Sequence, residues 1–396
     1  MSYDGNCHLG DLFSSRREKG REGLPTLSVT LNNGLVNRDD LERKQETTLT
    51  ADEHLLVKPN DIAYNMMRMW QGAFGLAEKE GLVSPAYVVL KQKPTVDPAF
   101  ASQLFKTKRM LYLFWAYSHG LTEDRLRLYA QDFARIPVNV PSIAEQSKIA
   151  EMLEAWDQAV ETIEKLIENS AAHKTALMDR FFSKYESFHL AAGEWHYMAL
   201  GDLADIDAES LGKTTPADFQ FRYITLSDVN EHHVSQSLAT YRLSEAPSRA
   251  RRVVRPGDLL MSTVRPNLQG FARVTRAHAD CIASTGFAVL TAKSGTSSDY
   301  LFHYLFSRHI QDQINAIVIG SSYPSINSSD VERLLVRCPP LEQQLTIAKI
   351  LDTADERIQA EIQQRDLLIR QKQALMQQLL AGKRRVKSDQ PDMAAA

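Results

Sequence analysis

The chain has 396 residues, 43% of them apolar, and a formal net charge of −3. That length accommodates two to four domains with ordinary cores. The near-neutral balance argues against an indiscriminate polyanion binder but permits basic residues grouped in particular segments. Cys7, Cys281 and Cys338 are far apart and odd in number, so no disulfide framework or zinc spacing follows, and a reducing cytoplasm is expected. The polar N-terminus and the lack of a long apolar run predict neither a secretory leader nor a membrane span.

In chain order, residues 1–140 read as a mixed α/β domain. Strand-like runs fall at 27–31, 62–65 and 86–90, and one helix is predicted over about 102–117. Residues 141–186 form a long helix opened by Pro141 and Ser142. After a short break at 187–193, residues 194–338 form a second mixed domain. Its strand-like runs are at 222–226, 258–262 and 287–291, with one helix over about 298–315. Residues 339–382 form a second long helix that Gly382 stops, and 383–396 is expected to be a disordered tail.

The second half repeats the first. At a constant shift of 198, Pro141, Gln146, Ile149, Ala150, Leu153, Asp157, Lys174, Ala176, Leu177 and Met178 meet identical residues at Pro339, Gln344, Ile347, Ala348, Leu351, Asp355, Lys372, Ala374, Leu375 and Met376. The globular parts repeat more loosely. Leu9-Gly10-Asp11-Leu12 recurs as Leu200-Gly201-Asp202-Leu203, and Gln71-Gly72 as Gln269-Gly270. Gap-free helices between domains that have drifted in length are what a required helical register produces.

Each helix carries an apolar seam at spacings of three and four. One runs through Leu153, Trp156, Val160, Ile163, Ile167 and Leu177, the other through Leu351, Ala354, Ile358, Leu368, Leu375 and Leu379. Polar residues interrupt both, at Ser170 and Lys174 and near Glu361 and Arg365. A lone helix of this size, ~60 Å long at 1.5 Å per residue, cannot bury such a seam in water. The expected fold is therefore two α/β domains joined by long helices that pair as an antiparallel coiled coil, with an internal pseudo-twofold repeat. Packing of each helix on its own domain, or between chains, is the alternative.

Two α/β domains alternating with two near-identical helices, each opened by a proline step and an acidic-Gln or Gln-Gln pair and closed by Lys-x-Ala-Leu-Met, resemble the DNA specificity subunit of a type I restriction-modification system. The resemblance runs from Leu9 to about Lys387. It implies a non-catalytic reader in which each target-recognition domain reads one half of a bipartite double-stranded DNA site. It also implies that the helices space the halves and dock two methyltransferase subunits, which two restriction subunits join. This chain would bind no cofactor itself; S-adenosylmethionine, ATP and Mg are expected on the partners. One departure is visible, since the first domain has no counterpart of Trp195. The segment 187–193 or the C-terminal tail is expected to fill that place.

Base reading needs donors aimed at base edges, together with phosphate clamps. Arg68 and Gln71 follow one predicted strand; Arg265, Asn267 and Gln269 follow the matching strand of the second domain. A turn-supporting role for the arginines is the competing reading. Arg249, Arg251 and Arg252 are the densest basic group of the second domain, suited to phosphates or to a plain solvated face. Ser118 and His119 in one domain, and Ser321, Ser322 and Tyr323 in the other, lie in small polar loops of the kind that carry recognition or merely turn the chain. The acids Glu145, Glu151, Glu154, Asp157, Glu161, Glu164 and Glu168 make the first helix a poor groove binder and a better protein-docking or solvated face. Catalytic signatures are missing. Cys338-Pro339-Pro340-Leu341 has neither the amide nor the aromatic of an amino-methyltransferase step, and Leu211-Gly212-Lys213-Thr214 lacks the upstream glycine of a phosphate loop. His232-His233 has no metal-ligand spacing around it. A coiled-coil scaffold whose α/β domains bind other proteins is the rival function.

Overall fold

The computed structural model describes residues 7–41, 49–122, 125–182, 195–230, 232–318, 324–380 and 382–386. The chain divides into two compact units, Met1–Glu164 with Gln363–Ala396, and Lys165–Ile362. Each unit therefore holds one α/β domain, a segment of the helix Ile143–Phe182 and a segment of the helix Leu341–Leu379.

In the first unit a four-stranded antiparallel sheet runs in the order Phe13–Arg16, Tyr87–Gln92, Ile62–Asn65, Phe74–Leu76. The two central strands, Tyr87–Gln92 and Ile62–Asn65, are mostly apolar because both their faces are covered. Ile62, Tyr64, Val88 and Leu90 enter one core with the helices, while Ala63 and Val89 enter another with Leu27, Val57 and Val83. The second layer consists of two short ladders, Leu27–Val29 with Leu35–Asn37, and Leu55–Val57 with Gly81–Val83.

The second unit repeats the first sheet as Ala204–Ile206, Phe287–Ala292, Leu259–Ser262, Phe271–Arg273. Its second layer is larger, a four-stranded sheet ordered Thr240–Arg242, Gln220–Ile224, Cys281–Ser284, Ala250–Val253, whose central pair is parallel. The helices predicted over 102–117 and 298–315 are each two helices: Pro98–Phe105 and Lys108–Ala116, and Ser298–Leu305 and Arg308–Val318. A hydroxyl makes each break. Thr107 Oγ1 accepts from Met110 N–H at 3.3 Å, and Ser307 Oγ accepts from Ile310 N–H at 3.3 Å, so each caps a new helix within what reads as one helical segment.

The duplicated Leu-Gly-Asp-Leu turns fasten each domain to itself. Leu9 N–H donates to Ile136 C=O and Leu200 N–H to Leu334 C=O. Gly10 is needed because a Cβ there would stand 2.9 Å from both Ala134 Cβ and its carbonyl oxygen.

The identities shared by the long helices are explained by what they touch. Gln146 is 1% exposed; its Oε1 accepts from Asp97 N–H at 2.9 Å and its Nε2 donates to Pro141 C=O at 2.9 Å. Gln344 repeats this, accepting from Ser297 N–H at 2.9 Å and donating to Pro339 C=O at 2.9 Å. Asp97 and Ser297 are themselves the N-caps of Pro98–Phe105 and Ser298–Leu305. One glutamine thus ties the first turn of each long helix to the capping residue of its domain.

In the first unit Asp157 pairs with Lys372, and Glu145, 5% exposed, pairs with Arg385 at 3.0 Å. These pairs run the two helix segments antiparallel around Ile149, Leu153, Leu375 and Leu379. In the second unit Lys174 pairs with Asp355, and Ser170 Oγ donates to Glu361 Oε1 at 3.2 Å, beside Leu177, Phe181, Ile347 and Leu351. Of the polar interruptions, Ser170 and Glu361 are thus matched to each other and Lys174 to Asp355, while Arg365 pairs with its neighbour Asp366 at 2.7 Å. None of the twelve seam residues is exposed, whereas Glu151, Glu154, Glu161, Glu164 and Glu168 are. Glu145 and Asp157 leave the acidic outer face expected of them, because each is held by a cation of the second helix or its tail.

The tail corrects a second expectation. Of the expected tail, residues 387–396 lie outside the described residues, but its first part is anchored: Val386 N–H donates to Glu145 Oε1 at 3.1 Å and its side chain joins the first core. In the second unit the corresponding Gln343 accepts from Trp195 Nε1 at 3.0 Å. Arg385 and Val386 thus serve the first domain as Trp195 serves the second, the tail being one of the two segments expected there.

His303 couples the second domain to its helix. It is 0% exposed, with Nε2 2.9 Å from Asp352 Oδ1 and 3.3 Å from Arg273 Nη2, and Nδ1 4.0 Å from Asp355 Oδ2. Burial lowers its pKa below the ordinary 6.5, with the Asp352 hydrogen bond opposing. A depressed histidine contributes stability fully present above the unfolded value and lost as pH falls through the folded one. Burial raises Asp352, but His303 and Arg273 outweigh it and lower that carboxyl, so its own loss belongs to more acid pH. Urea unfolding should therefore show stability falling below pH 6.5, by at most about 1.4 kcal/mol per pH unit from this group. His303→Gln, which installs the residue found at the matching Gln103, should remove that component. An unchanged slope in the variant would assign the effect to another group.

Candidate nucleic-acid interface

Each domain turns a tight tip between two strands of its main sheet. In the first, Ile62–Asn65 leads through a 3-10 turn, Met69–Gln71, to Phe74–Leu76. In the second, Leu259–Ser262 leads through Pro266–Leu268 to Phe271–Arg273. Tyr64 pairs with Phe74 and Met261 with Phe271, so the two tips are equal in length. That fixes their correspondence. Arg68 and Arg265 both stand at the N-cap of the turn, both exposed, in the same register.

The Gln-Gly match does not survive this register. Gln71 lies within its 3-10 turn, at the place of Leu268, and Gly72 corresponds to Gln269. The closing residue must be left-handed, with φ 94° at Gly72 and φ 53° at Gln269. Glycine adopts this freely, whereas a side chain there costs roughly 1–2 kcal/mol. Arg265 is also left-handed, at φ 49°. The second tip therefore holds two strained non-glycine residues around Pro266, which is buried beneath it.

The surroundings gather several expected residues around these tips. In the first domain the helix Lys108–Ala116 packs on the 3-10 turn. Its exit carries Ser118, whose Oγ donates to Phe114 C=O at 2.6 Å, and then the exposed His119. His119 bridges Arg127 by backbone hydrogen bonds of 3.0 and 2.9 Å, and Leu128 N–H donates to Met66 C=O at 2.9 Å. Arg68, Gln71, Ser118 and His119 thus share one end of the sheet. Exposed Arg127 belongs to the same end. The sequence reading missed it, although Arg125-Leu126-Arg127-Leu128 alternates as an edge segment does.

In the second domain Arg265 N–H donates to Pro324 C=O at 2.8 Å and Ile326 N–H to Thr263 C=O at 2.9 Å. The expected loop residues Ser321, Ser322 and Tyr323 lie outside the described residues. The basic group divides. Arg249 is exposed, and its carbonyl accepts from Thr285 N–H at 2.8 Å, next to Gly286, whose carbonyl accepts from Thr263 N–H at 2.8 Å. Arg249 therefore lies at the tip end of the domain. Arg251 is half-buried and donates to Ala250 C=O at 3.1 Å. Arg252 is held by Asp207 at 2.7 Å, with that carboxylate side chain only 7% exposed. An arginine committed to a buried acid is a poor phosphate clamp, a partnership that no local pattern foretells.

Among the described residues no group of histidines, cysteines and acids is arranged to hold a metal ion, and no helix is long and apolar enough to cross a membrane. A duplicated α/β scaffold that presents one exposed arginine at the same place in each copy is a recognition architecture. The comparisons give it a family: the Type I restriction modification DNA specificity domain matches residues 7–170 and 192–368, and the chain belongs to that family of DNA-binding specificity subunits, which are non-catalytic. It is 22% identical over 358 residues to the type I restriction enzyme MjaVIII specificity subunit of Methanocaldococcus jannaschii, covering 85% of this chain and 82% of that protein. The putative MjaX specificity subunit of the same organism is 24% identical over 314 residues, covering 75% and 70%. Among solved structures, the S subunit of a type I restriction-modification system from M. genitalium superposes with a TM-score of 0.59 at 16% identity, over 98% of this chain and 96% of that one. A chain from a structural study of type I system assembly and conformational transition gives 0.58 at 16%, over 96% and 98%. At these identities the structures support the fold alone.

Proposed function

We propose that this chain reads a bipartite double-stranded DNA site, one half with each tip, and acts in the cytoplasm within a complex containing two methyltransferase and two restriction subunits. The observation that carries the reading is the exposed arginine at the N-cap position of the same turn in both domains, at one register. An arginine fork matches guanine O6 and N7 in the major groove. The length of the long helices sets the gap between half-sites, leaving its sequence free. Leu341 and Leu345, one turn apart and 42% and 54% exposed, supply apolar surface for a docked subunit. Methyl transfer from S-adenosylmethionine and ATP- and Mg-dependent translocation and cleavage belong to the partners.

The test is selection from random duplexes by the chain co-purified with its co-expressed methyltransferase, read by mobility shift. One bipartite site should emerge. Arg68→Ala and Arg265→Ala should each weaken a different half-site, by ~1–3 kcal/mol for a lost bidentate contact. A scaffold protein would select nothing, and that result would remove the reading.

A further inference from the structure

The register of the two tips exposes a residue that the sequence reading passed over. The place held by Gln71 in the first domain is held by Leu268 in the second. Leu268 is 69% exposed, among the most exposed large apolar residues described. Single exposed leucines are common and need no explanation. This one is different because its backbone is fixed on every side. Leu268 N–H donates to Arg265 C=O at 2.9 Å, Gln269 N–H to Pro266 C=O at 3.0 Å, and Phe271 N–H to Gln269 C=O at 2.7 Å. Arg265 and Gln269, on either side of the turn, are both left-handed. The helix Arg308–Val318 packs against the turn. The fold accepts two strained residues and presents an aliphatic side chain to water from a fixed backbone position, between two polar residues, Asn267 and Gln269.

We infer that Leu268 is a specificity-determining residue that makes the apolar contact with a thymine 5-methyl group in the half-site read by the second domain. This rests on the DNA-reading function proposed above. Of the four bases only thymine offers an apolar group in the major groove, and aliphatic side chains recognise it by excluding water. The equivalent Gln71 carries an amide, whose donor and acceptor suit adenine N7 and N6. One tip position thus presents opposite chemistries in the two domains, as expected when a duplicated reader serves unlike half-sites.

The experiment uses the complex with its methyltransferase and the selected duplex. The half-site of the second domain is identified as the one weakened by Arg265→Ala. Each thymine of that half-site is replaced in turn by deoxyuridine, which removes only the methyl group. The wild-type complex should bind one such duplex about fourfold more weakly, the worth of one buried carbon. Leu268→Ala should bind the thymine and deoxyuridine duplexes equally. Leu268→Gln should move the preference at that base pair toward adenine. Because the side chain is exposed, Leu268→Ala should melt with the wild type, which separates a lost contact from a lost fold.

Two results would overturn the assignment while leaving the DNA reader intact: no thymine in the half-site responds, or the response persists in Leu268→Ala. The first is also what a wedge between stacked bases would give. Failure to select any duplex would instead remove the DNA-reading function itself.

Discussion

Gln344→Leu should weaken the second unit by about 2–3 kcal/mol in urea unfolding, taking roughly 1–3 kcal/mol for a buried backbone donor left without a partner and a smaller loss for a carbonyl that keeps only the weak Cys338 thiol. The groups are Ser297 N–H and Pro339 C=O, which the glutamine amide satisfies together from a site 1% exposed. Leucine fills the volume and offers neither bond. Glutamate offers an acceptor to Ser297 but turns a second oxygen toward Pro339 C=O, so Gln344→Glu should fail as well. That pair of variants separates hydrogen bonding from packing. Since Ser297 caps Ser298–Leu305, amide exchange should accelerate in that helix; Gln146→Leu should do the same at Pro98–Phe105 in the first unit. A loss under about 1 kcal/mol for either leucine variant would mean that water replaces the amide and that the duplicated glutamine has another reason to persist.

Those glutamines also indicate how much the sequence discloses. The helical repeat was legible because packing leaves a periodic trace: Ile149, Leu153, Ile347 and Leu351 are spaced for a seam, and all four are fully buried. The central strands of the main sheet were legible because they are apolar on both faces, whereas the edge strands Phe13–Arg16 and Ala204–Ile206, with polar residues on one face, were not. The partners of polar residues were not legible. Glu145 finds Arg385, and Arg252 finds Asp207, across separations that no local pattern spans. The helix breaks at Thr107 and Ser307 were hidden because each acts through one hydroxyl, among neighbours that are ordinary inside a helix. The tips were half legible. The two arginines emerged from their place after a strand, but letter matching paired Gln71 with Gln269. Backbone register pairs it with Leu268, because a left-handed position constrains conformation and not composition.

Exchange of residues 1–140 for the corresponding domain of another family member should rewrite one half-site and leave the other intact. The described contacts make the exchange local. Within the first unit, the domain meets the long helices mainly through Gln146 with Asp97, Asp157 with Gln103 at 3.0 Å, and the core around Ile149 and Leu379. A donor domain with a capping side chain at the place of Asp97, and a donor at that of Gln103, should dock without further change. Specific binding typically exceeds non-specific binding by about 10³–10⁷, so losing one half-site should cost the original duplex roughly 10²–10³ in affinity. Methylation mapping of a strain carrying the hybrid system would read both halves at once. Retention of the second half-site, including its dependence on Arg265, is the expected result. If both halves change, reading by one domain depends on the other, and the duplicated tips are not independent readers.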